Sequence, residues 1–258
     1  MFYKKQIDKR GVATITLDRP DVHNAFNDEM ISALIDCFNQ MSTDNSIRLV
    51  VITGTGKSFC AGADLNWMKR MKDYSYDENL ADSQKLAELF TVINKFTKPT
   101  IARMNGAALG GGAGLIACCD YVIAIDTALV GFTEVRLGLL PAVISPFVIA
   151  KIGESHARAA FLSGVRFDML RAVRMGLVHQ ISSFDKLDED LEALVKEYLA
   201  AAPEASIMAK KLIADVISTH SIEEAKHFTC ELISKVRAGK EGQEGMSALL
   251  EKRKASWQ

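Results

Sequence analysis

Five cysteines in 258 residues leave little material for a cross-linked fold. Cys37, Cys60, Cys118, Cys119 and Cys230 are odd in number, include one adjacent pair and show no C-x-x-C spacing. That pattern argues against a disulfide framework and against a cysteine zinc site, and the thiols read instead as reduced and buried. His23, His156, His179, His220 and His227 form no H-x-x-x-H or H-E-x-x-H array, so no metal site is expected. No serine occupies a G-x-S-x-G elbow. Neither charge is in excess: 31 basic residues face 32 acidic ones, and no Lys/Arg stripe makes an electrostatic case for nucleic acid. No apolar run approaches the roughly 20 residues needed to cross a bilayer. The longest stretches, 107–119 and 137–150, are glycine-rich and proline-broken respectively. The opening MFYKKQIDKR carries charge where a signal peptide needs its apolar segment. These absences predict a soluble, cytoplasmic protein without a membrane partner.

What is present is an ordinary globular composition, 48% hydrophobic and 24% charged, enough to bury a sizeable core. Residues 2–8 and 11–18 read as a strand pair with Arg10-Gly11 at the turn. From about residue 27 to Met41, the apolar positions Met30, Leu34, Ile35, Phe38 and Met41 share one helical face. Ile47–Thr53 is a near-continuous apolar run, as expected of a strand covered on both faces. A long loop over 54–64 is predicted next, then polar helices to about Phe96. Strands are expected at 99–104, 120–125 and around 129–132, and a short apolar helix opens at the glycines 110–112. From Ser145 onward helical patterns dominate. Strand–helix alternation implies an α/β core with a covered sheet. The expected division is a core over 1–195 and a helical region over 196–258.

Gly54-Thr55-Gly56-Lys57-Ser58 invites a nucleotide-binding reading, but a P-loop needs glycine where this chain has Val51. The glycines from Gly110 to Gly114 also miss the G-x-G-x-x-G spacing. Carboxylates and backbone dipoles are then the catalytic equipment that remains. Two segments each come after a buried strand and are rich in small residues: Ser58-Phe59-Cys60-Ala61-Gly62-Ala63-Asp64-Leu65 and Gly110-Gly111-Gly112. Small residues let a ligand approach the backbone, and a helix start offers unpaired N–H groups with a positive dipole end. Two such donors on one oxygen would form an oxyanion hole; tight turns and close packing would explain the same residues. Glu134 sits among small and apolar neighbours, where desolvation would lift its pKa toward acid–base work. The competing reading is a surface glutamate paired with Arg136.

Several motifs in order resemble the crotonase superfamily, the enoyl-CoA hydratases and isomerases, over nearly the whole chain. They include Arg19-Pro20 with His23-Asn24-Ala25-Phe26, the Phe59–Leu65 segment, Lys98-Pro99-Thr100-Ile101-Ala102, Gly106 to Asp120, Phe132 to Leu139, Glu244-Gly245-Met246 and Glu251-Lys252-Arg253-Lys254. Ala63–Met68, Ala117–Asp120 and Thr133–Leu139 are most similar to bacterial methylglutaconyl-CoA hydratases. The resemblance implies a spiral of ββα units, a helical C-terminal trimerisation region and a homotrimer or dimer of trimers. It implies that the Ala63 and Gly111 N–H groups bind a thioester oxygen and that Glu134 moves a proton. It further implies that Val22, Ala25, Ala61, Asp64 and Leu65 meet the coenzyme A moiety, with Lys252 of a neighbouring subunit near its phosphates. No separate cofactor is implied, since coenzyme A is part of the substrate. Two-acid hydratases carry a second glutamate where this chain has Gly114, and the segment from Leu140 to Pro146 also departs from the family pattern. The implied activities are therefore hydration of a short branched enoyl-CoA, Δ3,Δ2-isomerisation with one acid, or acyl-CoA binding without turnover.

Overall fold

A computed structural model describes residues 2–258. Strands β1 (Tyr3–Ile7) and β2 (Val12–Leu17) pair antiparallel. The turn between them contains Gly11 at φ 82, where a side chain would collide with the Ser46 carbonyl. Helix α1 (Asp28–Ser42) begins where the Asn27 side chain accepts from the Met30 N–H. It buries the whole predicted face of Met30, Leu34, Ile35, Phe38 and Met41, each worth roughly 1.5–3 kcal/mol of hydrophobic transfer. Strand β3 (Leu49–Gly54) is buried at every position.

The predicted loop over 54–64 contains a strand, β4 (Ser58–Cys60), too short for periodicity to reveal. Helices α2 (Leu65–Met71) and α3 (Tyr76–Asn94) come next. A second strand pair, β5 (Thr100–Met104) and β6 (Ala107–Leu109), precedes helix α4 (Gly111–Cys118). A third, β7 (Tyr121–Ile125) and β8 (Val130–Gly131), precedes α5 (Ser145–Phe161), which Gly153 interrupts with φ 73. Helix α6 (Met169–Arg174) leads to strand β9 (Gln180–Ser182), which falls between the helices expected from Ser145 onward. Helices α7 (Leu187–Ala200), α8 (Pro203–Ile217), α9 (Ile222–Ala238) and α10 (Lys240–Leu250) end the chain.

The strand pairs divide their members between two sheets. One sheet has the order β1-β2-β3-β5-β7-β9, parallel from β2 onward; the other is the parallel trio β4-β6-β8. The repeats β3/β4, β5/β6 and β7/β8 each send one strand to the large sheet and one to the small sheet before their helices begin, while β1 and β2 both stay in the large sheet. This is the α/β, ββα arrangement that the motifs implied.

The chain forms two compact units, one of residues up to Phe96 with Thr100–Leu191, the other of Thr97–Pro99 with Glu192–Gln258. The division falls inside α7, at Leu191–Glu192. In the second unit α10 packs on α8 and α9. The Glu241 carboxylate accepts from the Glu204 and Ala205 N–H groups at 2.9 and 2.7 Å, capping α8 from outside its own sequence. Glu244 holds Arg253 through two hydrogen bonds of 2.7 and 2.8 Å and accepts from the Ser256 N–H. The Arg253 guanidinium and that N–H draw the Glu244 carboxyl down to about 2.

Candidate active site

The small sheet builds the site. Its strands β4, β6 and β8 run parallel as hydrogen-bonded neighbours, so their carboxyl ends lie side by side. From those ends emerge the Ala61–Asp64 loop, the Gly110-Gly111 turn into α4, and Thr133-Glu134. Three segments distant in sequence thus converge at the edge where parallel strands present ligand sites.

Ala63 lies in a short parallel bridge with Phe26. Phe26 donates to the Gly62 carbonyl at 2.7 Å and Asp64 donates to the Phe26 carbonyl at 2.8 Å. Both flanking amide groups are thereby used, and the N–H of Ala63 itself turns to the other side of the bridge. Gly62, at φ 91, rests on the next segment: a Cβ there would stand 2.8 Å from the Leu109 oxygen and 3.5 Å from the Gly111 nitrogen. The Gly111 N–H opens α4 and has no intrahelical acceptor. Among the described residues neither N–H, of Ala63 or of Gly111, has a hydrogen-bond acceptor. Gly112 is a packing requirement, since a side chain there would strike the Cys60 carbonyl.

Glu134 opens a 3-10 turn, Glu134–Leu137. Its Oε1 lies 3.3 Å from where a Cβ on Gly110 would be, one residue from the Gly111 N–H. Its Oε2 is buried and has no hydrogen-bond partner. Burial pushes this carboxyl above the ordinary carboxylate range, against a smaller opposing pull from its own N–H. The competing surface-pair reading does not hold, because Arg136 turns away and donates to the Ser163 carbonyl at 3.3 Å. A carboxyl with one unpartnered oxygen, on the same sheet edge as two unpartnered N–H donors, can move a proton near an oxyanion that those donors stabilise.

Residues 8–258 match the enoyl-CoA hydratase/isomerase family. The chain belongs to that family. A crotonyl-CoA hydratase of Syntrophomonas wolfei is 31% identical over 95% of this chain and 94% of its own length. Solved enoyl-CoA hydratase structures agree in fold. One from Shewanella pealeana has a TM-score of 0.95 at 37% identity, covering all of this chain and 96% of its own. One from Mycobacterium smegmatis has a TM-score of 0.94 at 30% identity, covering all of this chain and 99% of its own.

The residues of this hydratase/isomerase expected to meet coenzyme A differ widely in their surroundings. Val22 ends a 3-10 turn and is half-buried, while Ala25 is buried and its carbonyl accepts from Arg19. Ala61 donates to the His23 carbonyl at 3.0 Å, and Leu65 is exposed at the start of α2. Asp64 is 4% exposed; its Oδ2 accepts from Arg19 at 2.6 Å and its Oδ1 caps α2 through Asn66 and Trp67. Burial would raise the Asp64 carboxyl, but these donors outweigh it and hold the group below the usual range. Its side chain is therefore spent on structure. Lys252 lies in the other compact unit, exposed, at φ 55. Of its basic run, Arg253 is committed to Glu244 and Glu251, which leaves Lys252 and Lys254 as exposed amines. Four cysteines are buried as expected, whereas Cys230 is exposed on α9.

Sequence reasoning did not single out Arg19 and Asn24 as site residues. Asn24 is fully buried, accepting from the Arg19 N–H and donating to the Thr55 and Ser58 carbonyls. The signal was a polar residue between Val22 and Phe26 that no turn template explains.

Proposed function

We propose that this protein reversibly hydrates the α,β double bond of a short branched enoyl-CoA of the 3-methylglutaconyl type, as a hydro-lyase. The observation that carries the reading is the unpartnered, buried Oε2 of Glu134 beside the unpartnered N–H groups of Ala63 and Gly111. In the hydration direction, Glu134 as carboxylate takes a proton from water while the water oxygen bonds to Cβ. The double-bond electrons move toward the thioester, whose oxygen becomes enolate-like between the two N–H donors. Glu134 then returns the proton to Cα, completing addition without a second protein acid. Losing one oxyanion donor typically costs about 3–4 kcal/mol of barrier lowering.

Val22, Ala25, Ala61, Asp64 and Leu65 would contact the coenzyme A moiety, chiefly through backbone. Lys252 of a neighbouring subunit would reach its phosphates in a homotrimer or dimer of trimers. Coenzyme A enters with the substrate, so no separate cofactor takes part.

The absence of a carboxylate at Gly114 favours a second reading, a Δ3,Δ2-enoyl-CoA isomerase, in which Glu134 removes a proton from Cα and returns it to Cγ. Separate incubations with crotonyl-CoA, 3-methylglutaconyl-CoA and a 3-enoyl-CoA distinguish the cases. Water addition to the branched substrate supports the first reading, and double-bond migration alone supports the second. Tight thioester binding with no turnover on any of the three overturns both in favour of a binding protein.

A further inference from the structure

We propose that Arg19 is a positioning residue that aims the Ala63 N–H, acting through Asp64 and the 23–26 segment; this rests on Ala63 serving as an oxyanion donor. Arg19 comes soon after β2, and its side chain ties the 23–26 segment to Asp64 alongside the backbone bonds from Phe26 to Gly62 and from Asp64 to Phe26. One guanidinium nitrogen donates to Asp64 Oδ2 at 2.6 Å and the other to the Ala25 carbonyl at 2.5 Å. Its backbone N–H donates to Asn24 Oδ1 at 2.9 Å, and its carbonyl accepts from the Asn24 N–H at 2.8 Å. Asp64 is the residue after Ala63, and Ala25 the residue before Phe26, Ala63's bridge partner. The guanidinium thus spans the bridge one step from the donor on each side.

The segments it joins need such a tie. His23 and Asn24 have φ of 54 and 57, a left-handed region that side chains rarely adopt, and Gly62 has φ 91. Such backbone persists only where surrounding bonds over-determine it. The Asp64 carboxylate bonds in two directions, to Arg19 and to the first turn of α2, so the peptide at 63–64 is fixed between a helix and a guanidinium. An oxyanion donor contributes only when aimed at the oxygen in the transition state, which makes its orientation a catalytic quantity.

The test is isotope-edited infrared spectroscopy of butyryl-CoA carrying a carbon-13 carbonyl, a saturated thioester with no double bond to hydrate, alongside turnover of the preferred enoyl-CoA. The parent enzyme should move the carbonyl stretch to lower wavenumber on binding. Arg19→Met should lose at least about half of that movement, with kcat down on the order of 10²-fold and KM changed only a few-fold. Arg19→Lys, which keeps a cation for Asp64, should recover part of both. Asp64→Asn keeps the α2 cap and should reproduce the Arg19→Met spectrum, so it carries the test if Arg19→Met does not fold. A lowered melting temperature with an unchanged carbonyl movement in these variants would make Arg19 a stabilising residue only and overturn the proposal. A parent enzyme that leaves the stretch where it is in water would overturn the oxyanion role of Ala63, and this proposal with it.

Discussion

Ile144 occupies the space that any side chain at position 114 would need: a Cβ built on Gly114 overlaps Ile144 Cγ2 and comes within 3.3 Å of the Phe90 ring. Ile144 is 3% exposed, and Phe90 is fully buried against Phe26 and Phe147. Gly114 is therefore the glycine that lets an apolar side chain lie directly on the α4 backbone, one turn after the Gly111 N–H. The wall beside the site is hydrocarbon where a second carboxylate would otherwise project.

Gly114→Ala should destabilise the protein by about 1–3 kcal/mol, the usual cost of overpacking a filled core. Ile144→Ala in the same chain should recover part of that loss. Urea denaturation of the two single variants and the double variant measures it, and strict additivity would show that the two positions do not compete for space. For the same reason Gly114→Glu alone should not raise hydration of crotonyl-CoA, because the new carboxylate cannot enter a space that Ile144 fills. A gain in hydration from Gly114→Glu alone would contradict that packing.

The two-sheet division explains which parts of this architecture could be read from sequence. The longer strands announced themselves by apolar runs or β-branched pattern, and α1 by its 3.6-residue stripe. Of the small sheet only Val130–Gly131 was expected, as a strand around 129–132; Ser58–Cys60 and Ala107–Leu109 are too short for a period to register. Yet this sheet aligns Ala63, Gly111 and Glu134. Those residues were legible only through small-residue motifs and family resemblance. Arg19 belongs to a recognisable motif, but its action on Asp64 spans 45 positions and no local pattern encodes it.

Glu134→Gln should preserve the fold and thioester affinity while lowering kcat by at least about 10²-fold, since an amide keeps the volume but cannot carry the proton. Steady-state kinetics with direct thioester binding checks this. An unchanged kcat would remove Glu134 from the chemistry, and Asp64, already locked by Arg19, would be a poor replacement.

The raised carboxyl of Glu134 also fixes a sign for stability. A carboxyl whose pKa is higher in the folded chain than in the unfolded one favours folding when protonated. That contribution is present below the unfolded value and is lost as pH rises through the folded value. Glu134→Gln should therefore be more stable than the parent at pH 7, with the advantage shrinking as pH falls toward about 4, an unfolded carboxylate's range. Chemical denaturation across that interval tests it. An advantage that grows on acidification would mean that the folded site favours the ionised form.

The same direction governs catalysis. With Glu134 acting first as a base, kcat/KM for hydration should fall on acidification, with a midpoint above the ordinary glutamate range, and the limb should vanish from the residual activity of Glu134→Gln. A midpoint at or below the ordinary range would place the ionising group elsewhere.

Lys252 offers a test that leaves the second unit's fold in place. Truncation after Gly239 would remove Glu241, which caps α8, and Trp257, which donates to the Ala200 carbonyl at 3.3 Å, so loss of binding there would be ambiguous. Lys252→Ala removes one exposed amine and no ion pair that holds α10, since Arg253 makes the bonds to Glu244 and Glu251. If Lys252 pairs with coenzyme A phosphates, the variant should raise KM several-fold for the CoA thioester, and less so as salt is added. The corresponding pantetheine thioester, which lacks the nucleotide phosphates, should show no such change. Equal effects on both thioesters would place Lys252 away from the phosphates, and no effect on either would remove it from substrate binding.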